Sequence, residues 1–118
     1  VGSIVGYISY TKSNSTVKTE LFPIEQSFIV NIQSDNGKNK ILKTSITLEY
    51  KGKKGSEKLT TEMSKVNDVL ISTLSSKSED ELRPTKRKEL KNDLVSELNT
   101  ILGKKMIVDV YFNDFLIN

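Results

Sequence analysis

The sequence predicts a single α+β domain, in which a small sheet of about three strands carries helices on one face, on an N-terminal membrane tether. The chain has 118 residues, a length typical of one domain that can bury a real core. Two segments alternate with the period of a half-buried strand, and two longer segments carry apolar residues at helical spacing. The closing stretch, residues 104–117, is the most aromatic part of the chain, so we expect the other elements to pack around it.

The composition favours a binding protein over an enzyme. Apolar residues make up 36% and charged residues 28% of the chain, which is a globular composition with a net charge of +3. Cysteine and histidine are both absent, so the chain offers no disulfide, no thiolate nucleophile and no Ser-His-Asp relay. We therefore predict no catalytic residue, no cofactor and no metal site. A hydrolase that uses Asp or Glu alone stays open as an alternative.

The first ten residues, Val1–Tyr10, are uncharged and largely apolar. A membrane-spanning helix needs about 20 such residues, so we interpret this segment as the outer half of a transmembrane helix. A buried strand or the remnant of a signal peptide is the alternative. The predicted membrane anchor consists of Val1, Ile4, Val5, Tyr7, Ile8 and Tyr10, with the two tyrosines at the membrane interface.

Residues 11–26 form a predicted polar linker arm that leads into a domain covering residues 27–118. The apolar run Leu21-Phe22-Pro23-Ile24 interrupts this arm, and Pro23 favours an extended conformation at Phe22. An apolar patch in an extended arm either packs against its own domain or is offered to a partner. The first outcome is the more common one, and the second makes Phe22 and Pro23 candidate contact residues.

A β-hairpin is predicted next. Residues 27–33 alternate between apolar and polar side chains, with Ile29 as the exception, and residues 40–51 alternate again. Asn36-Gly37 supplies the turn chemistry between them. We expect one face of the second strand to be buried, and that face carries Leu42, Thr44, Ile46, Leu48 and Tyr50.

Two helices are predicted after the hairpin. The first covers residues 57–75 with Ser56 as its N-cap, and its apolar stripe consists of Leu59, Met63, Val66, Leu70 and Leu74, widened by Ile71. Ser78 and Glu81 have the spacing of a capping box, and Pro84 suits the first turn of the second helix. That helix ends at Gly103, and its stripe consists of Leu90, Leu94, Leu98, Ile101 and Leu102.

The last strand is predicted to contain a bulge. In a regular strand, Met106, Val108, Val110 and Phe112 share a face with Asp114. A bulge at Asn113-Asp114 instead moves Phe115 and Ile117 onto the apolar face, so we predict a bulge there. Asp109 and Asp114 fall on opposite faces unless the bulge rotates one of them, and they do not form a catalytic pair.

Lysine and arginine residues form two short clusters. Lys86, Arg87 and Lys88 lie on the second helix and are candidate contacts with a partner or another subunit, although a solvated helix face is the simpler interpretation. An alternative function is a membrane-tethered basic module that binds anionic lipid headgroups or nucleic acid. Its residues are Lys51, Lys53, Lys54, Lys86, Arg87 and Lys88.

The order of these elements resembles the flagellar basal-body-associated FliL family, over about Phe22 to Ile117. The most specific pieces are Ser72-Thr73-Leu74-Ser75-Ser76-Lys77, followed by Glu79 to Leu82, and Val110-Tyr111-Phe112-Asn113-Asp114-Phe115. The resemblance implies a single-pass protein of the bacterial inner membrane whose periplasmic domain is stomatin-like. It further implies a non-enzymatic motor protein that forms a homo-oligomeric ring and stabilises the active form of the flagellar stator units. It implies neither nucleic-acid binding nor catalytic residues.

Overall fold

The computed structural model describes residues 18–34 and 36–118 of the chain. Two short 3-10 turns, Asp80–Leu82 and Pro84–Lys86, connect the helix that ends at Ser75 to the helix that begins at Arg87. The predicted membrane anchor and its tether lie outside the described residues, and within those residues no helix is long and apolar enough to span a membrane. The regular elements are β1 (Thr19–Pro23), β2 (Phe28–Gln33), β3 (Asn39–Lys51), α1 (Gly55–Thr61), α2 (Met63–Ser75), α3 (Arg87–Leu102) and β4 (Ile107–Ile117).

Strand β3 is the centre of a four-stranded antiparallel sheet. Strand β4 pairs with one edge of β3. On the other edge, β2 pairs with the first half of β3 and β1 with the second half. The expected count of about three strands is therefore corrected to four, because part of the predicted linker arm, Thr19–Pro23, forms β1. The extended backbone around Pro23 suits a strand, and the proline lies at the strand end, where its missing N–H breaks no ladder.

The helices cover one face of the sheet, and the core lies between them. The predicted hairpin is confirmed: the alternating residues of β3 from Leu42 to Tyr50 are buried, and Ile29 is 68% exposed. The leucine stripes of α2 and α3 pack onto this face, and each fully buried Leu contributes about 1.5–3 kcal/mol. The fully buried large side chains are Leu42, Ile46, Leu48, Leu59, Val66, Leu70, Leu74, Leu82, Leu90, Leu94, Leu98 and Val110.

The first predicted helix is two helices rather than one. Helix α1 ends at Thr61 and α2 starts at Met63, because Glu62 between them leaves helical geometry at φ −98° and ψ 15°. The predicted N-cap at Ser56 is wrong, since α1 already begins at Gly55, where the absence of a side chain makes room for the Tyr50 ring. Ile71 does not widen the stripe, because it is 44% exposed.

The capping box and the glycine stop predicted around the third helix are confirmed, whereas Pro84 lies in the 3-10 turn before this helix and not in its first turn. The Ser78 backbone N–H donates to Glu81 Oε1 at 3.1 Å, and the Glu81 N–H donates back to Ser78 Oγ at 3.3 Å. This is the reciprocal bonding of a capping box. Pro84 opens the 3-10 turn that leads into α3. Gly103 ends α3 with a backbone φ of 74°, a left-handed conformation that residues other than glycine rarely adopt.

Strand β4 contains the predicted bulge and a second one. Ser45 pairs with Asp114 and Ile46 with Phe112, so Asn113 is the extra residue, and Phe115 and Ile117 turn toward the core. The second bulge lies at Val108, between the pairs Glu49–Asp109 and Tyr50–Ile107. This bulge corrects the prediction of which side chains face the core at the start of the strand. Ile107 is buried, whereas Val108, which was predicted to lie on the apolar face, is 45% exposed.

Replacing Gly55 with Ala is expected to lower the free energy of unfolding by about 1–3 kcal/mol, the usual range for overpacking a core. The added Cβ collides with the Tyr50 ring, although Ala is otherwise the better helix former. Chemical denaturation measures the change. In a Tyr50→Leu background, which removes the ring, the same replacement should cost much less. An equal loss in both backgrounds would contradict this contact as the cause.

Candidate functional site

The two candidate contact residues of the arm lie on opposite faces of the sheet. Phe22 pairs with Leu48 on the core face and meets the Tyr50 ring edge to face, with 6.5 Å between the ring centroids. Pro23 pairs with Thr47 on the other face and is exposed. The structure therefore places Phe22 in the packing of the domain and leaves Pro23 available at its surface.

A groove of about 370 Å³ runs between the end of β1 and the first two helices. Apolar atoms dominate its lining. Asn67 on α2 also borders it, and the buried side-chain oxygen of Asn67 has no hydrogen-bond partner within the described residues. The groove is shallow and open, which suits contact with a protein segment better than enclosure of a small ligand. Its lining residues are Phe22, Pro23, Ile24, Glu25, Gln26, Thr60, Met63 and Asn67.

The three basic residues at the start of α3 do not form one surface. The Arg87 guanidinium lies over the Phe115 ring, 3.8 Å from its centroid, and 5.4 Å from that of Phe112. Burial lowers the pKa of this guanidinium from its ordinary value. Lys86 Nζ is 3.8 Å from Asp80, and Lys88 is exposed. Arg87 thus covers the edge of the core, and its neighbours face solvent.

The face of the sheet opposite the helices, which we call the open face, carries a hydrogen-bonded group around Glu49. Thr19 Oγ1 donates to Glu49 Oε2 at 2.6 Å, and the Tyr111 hydroxyl donates to Glu49 Oε1 at 2.5 Å. These two bonds, led by that of Thr19, lower the pKa of Glu49. The bond to Glu49 is the main cause that raises the pKa of Tyr111 to about 12.

The two carboxylates of β4 lie on the same face, because the predicted bulge rotates one of them, as the sequence analysis allowed. Asp109 pairs with Glu49 and Asp114 with Ser45, and the bulge at Asn113 is what rotates Asp114 onto the open face. Their partners Glu49 and Ser45 are four positions apart on β3, which corresponds to about 13 Å along the strand. That distance exceeds the roughly 5–9.5 Å between the carboxylates of glycoside hydrolases. Asp109 is instead 3.1 Å from Lys91 Nζ.

Exposed apolar side chains are the feature of the open face that the sequence analysis missed. Two features of the sequence point to these side chains. Ile29 breaks the alternation of β2, and the predicted bulge in β4 turns Leu116 onto the open face. Across the residues that the structure describes, no group of three or more His, Cys, Asp and Glu could hold a metal ion. The exposed apolar residues of the open face are Leu21, Ile29, Ile41, Tyr111 and Leu116.

The basic residues at the end of β3 and in the turn after it are accessible. Lys51 is the last residue of β3, and Lys53 and Lys54 lie in the turn that leads into α1. All three are exposed, so they remain accessible to an anionic partner. Because Arg87 stacks on aromatic rings, the six basic residues of the alternative function do not act as one set.

The Arg87→Ala variant is expected to lower the free energy of unfolding by roughly 1–2 kcal/mol, because it removes the contact with two aromatic rings and the apolar stem of the side chain. Lys88→Ala, the neighbouring exposed residue, should change it by less than about 0.5 kcal/mol. Chemical denaturation of both variants makes the comparison. Equal effects would return Arg87 to the set of candidate contact residues.

Glu49→Gln is expected to lower the pKa of Tyr111 from about 12 toward its ordinary value of 10.0, because the charged acceptor is lost. Tyrosinate absorbance during alkaline titration measures it, and Tyr111→Phe identifies the signal. Since folding raises this pKa, the contact stabilises the fold below the ordinary tyrosine pKa, and that stabilisation disappears as pH rises through the folded value. An unchanged titration would show that Glu49 is not the cause.

Comparison with known proteins assigns the domain to a family. The profile of the family described as flagellar basal body-associated protein FliL matches residues 21–117, from within β1 to the end of β4. A protein named Flagellar protein FliL from Aquifex aeolicus (strain VF5) is 31% identical over 98 residues. The alignment covers 82% of this chain and 60% of that relative, so the chain spans less than two thirds of its length. This chain belongs to the FliL family of flagellar basal body-associated proteins.

Proposed function

We propose that this chain is the folded domain of a non-enzymatic accessory protein of the flagellar motor. Copies of the protein form a ring and associate with stator units, which stabilises the active, torque-generating state of the stator. The match to the FliL family over residues 21–117 is the observation that carries the proposal. In this proposal the protein crosses the bacterial inner membrane once, and its stomatin-like domain lies in the periplasm at the basal body.

Several features of the domain support a binding role. The open face leaves five large side chains exposed, among them Leu21 at 60%, Ile29 at 68% and Leu116 at 62%. Apolar residues grouped on one face are typical of protein contacts. The acidic groups on the same face already have partners in the domain, since Glu49 accepts from Tyr111 and Asp109 pairs with Lys91. The open face and the groove beside Pro23 are therefore the surfaces to examine for subunit and stator contacts.

Purification of the full-length protein from its own cells tests the proposal. In mild detergent we expect one large assembly of uniform mass that co-purifies with the stator proteins. Light scattering or native mass spectrometry gives the mass, and the same preparation from cells without stator proteins is the control. A monomer that recovers no stator protein would contradict both the ring and the stator association.

The salt dependence of binding separates this proposal from the lipid-binding alternative. Binding to anionic headgroups through lysines weakens steeply as salt is added. We expect recovery of stator proteins to change little between low and moderate salt, and to survive replacement of Lys51, Lys53 and Lys54 by Gln. Binding to anionic vesicles by the unmodified chain, lost in this triple variant, would instead favour the lipid-binding module.

A further inference from the structure

The outer edge of β4 presents backbone groups that the sheet does not use. Ile41 and Asn118 exchange both backbone hydrogen bonds, with N···O distances of 3.1 and 2.9 Å. Bonded and non-bonded pairs alternate along an antiparallel ladder. Ile117 lies opposite Leu42 and Phe115 opposite Thr44, so both belong to the non-bonded pairs. Their N–H and C=O groups therefore point away from β3.

The first half of this edge is closed by side chains. The Asn99 amide on α3 bonds both backbone groups of Ile107, accepting from the N–H at 2.8 Å and donating to the C=O at 3.1 Å. Asp109 Oδ1 accepts the N–H of Val110 at 2.7 Å. Lys91 extends from α3 to Asp109 and to the Tyr111 ring, 4.9 Å from its centroid, so its side chain crosses the edge. Another strand cannot pair there.

The second half of the edge is open. Within the described part of the chain, no other element bonds the outward backbone groups of Phe115 and Ile117. Leu116 between them lies on the open face and is 62% exposed. It sits beside Lys43, with Ile29 on the other side of that lysine. An unpaired edge next to exposed apolar side chains is a template for another strand.

We propose that β4 pairs with β4 of a second copy of this chain over residues 114–118, antiparallel about a two-fold axis at Leu116. In this register Phe115 of each copy exchanges N–H and C=O bonds with Ile117 of the other. The two Leu116 side chains meet on the open face as a non-bonded pair, in which side chains approach most closely. Because a two-fold contact closes at two copies, it joins pairs of subunits, and the ring of the proposed function needs a second, different contact.

The residues of this segment favour a second copy over an unrelated strand. The apolar Leu116 lies on the axis and contacts itself, and the one charged side chain, Asp114, faces the amide of Asn118. No like-charged side chains are therefore placed opposite each other, and such pairs are the usual obstacle to pairing identical strands. The axis is normal to the sheet, so the two open faces point the same way and the row of Ile29, Lys43 and Leu116 continues across the dimer.

A single-cysteine variant tests the register directly. The chain has no cysteine, so Leu116→Cys introduces its only thiol. Facing residues of a non-bonded pair bring the two Cα atoms within the range of about 4.4–6.8 Å that a disulfide requires. Under mild oxidation we expect a disulfide-linked dimer of the 118-residue chain on non-reducing electrophoresis. Ile29→Cys is the matched control, because it is similarly exposed beside Lys43 but lies on β2, and it should form no disulfide-linked dimer.

A charge exchange tests the same contact without a covalent bond. Leu116→Glu and Ile29→Glu both place a carboxylate beside Lys43, so their effects inside one copy are matched. Leu116→Glu also places two carboxylates opposite each other, and analytical ultracentrifugation should show dimerisation weakened by at least about tenfold. Ile29→Glu should dimerise normally. Mixing Leu116→Glu with Leu116→Lys chains should restore the dimer as a mixed pair.

The outcomes separate this contact from the proposed function. A dimer that tolerates Leu116→Glu, or equal crosslinking by Leu116→Cys and Ile29→Cys, overturns the β4 contact. So does a chain that neither crosslinks nor dimerises. In full-length protein, a Leu116→Glu assembly of unchanged mass that keeps its stator proteins leaves the proposed function standing and overturns the β4 contact as part of that assembly. A Leu116→Glu assembly of lower mass, with Ile29→Glu unaffected, supports the β4 contact within it.

Discussion

Burial of one face of β3 is the interaction on which the rest of the structure depends. Leu42, Ile46 and Leu48 have no exposed surface, and every other strand bonds to β3. A strand of thirteen residues is longer than β2 alone can pair. Strand β1 completes that edge next to Leu48 and Tyr50, so the described segment Thr19–Pro23 of the predicted arm is part of the fold.

The bulge at Asn113 links this core to the basic start of α3. By adding one residue, it turns Phe115 and Ile117 toward the core face, and the Asn113 side chain donates to Thr47 on the open face at 3.1 Å. Phe115 then lies at the edge of the core, where Arg87 covers its ring. A guanidinium suits this place because its flat face stacks on an aromatic ring, and its buried Nε has no hydrogen-bond partner among the described residues. The ring contact therefore accounts for the position of Arg87 without an external partner.

Local patterns predicted the parts of the fold that depend on local interactions. The alternation of β2 and β3, the capping box of Ser78 and Glu81, and the stop at Gly103 each arise within a few residues. The strand β1 could not be predicted in this way, because its pairing depends on an edge of β3 more than twenty residues away. The bulge at Val108 escaped notice because Met106, Ile107 and Val108 are all apolar, so either phase looks equally buried. The family could be predicted from resemblance, whereas the exposed apolar residues of the open face and the unpaired edge of β4 required the structure.

The two halves of the β4 edge show opposite solutions to one physical problem. An unpaired edge invites association with other strands, and proteins usually block it with charges, bulges or covering elements. Asn99, Asp109 and Lys91 do so over the first half, yet at the exposed centre of the second half stands Leu116 rather than a lysine. Because the closed half stops any longer pairing, a second copy can bind in only one short register. Such a contact is specific but weak alone, which suits subunits that other attachments already hold close together.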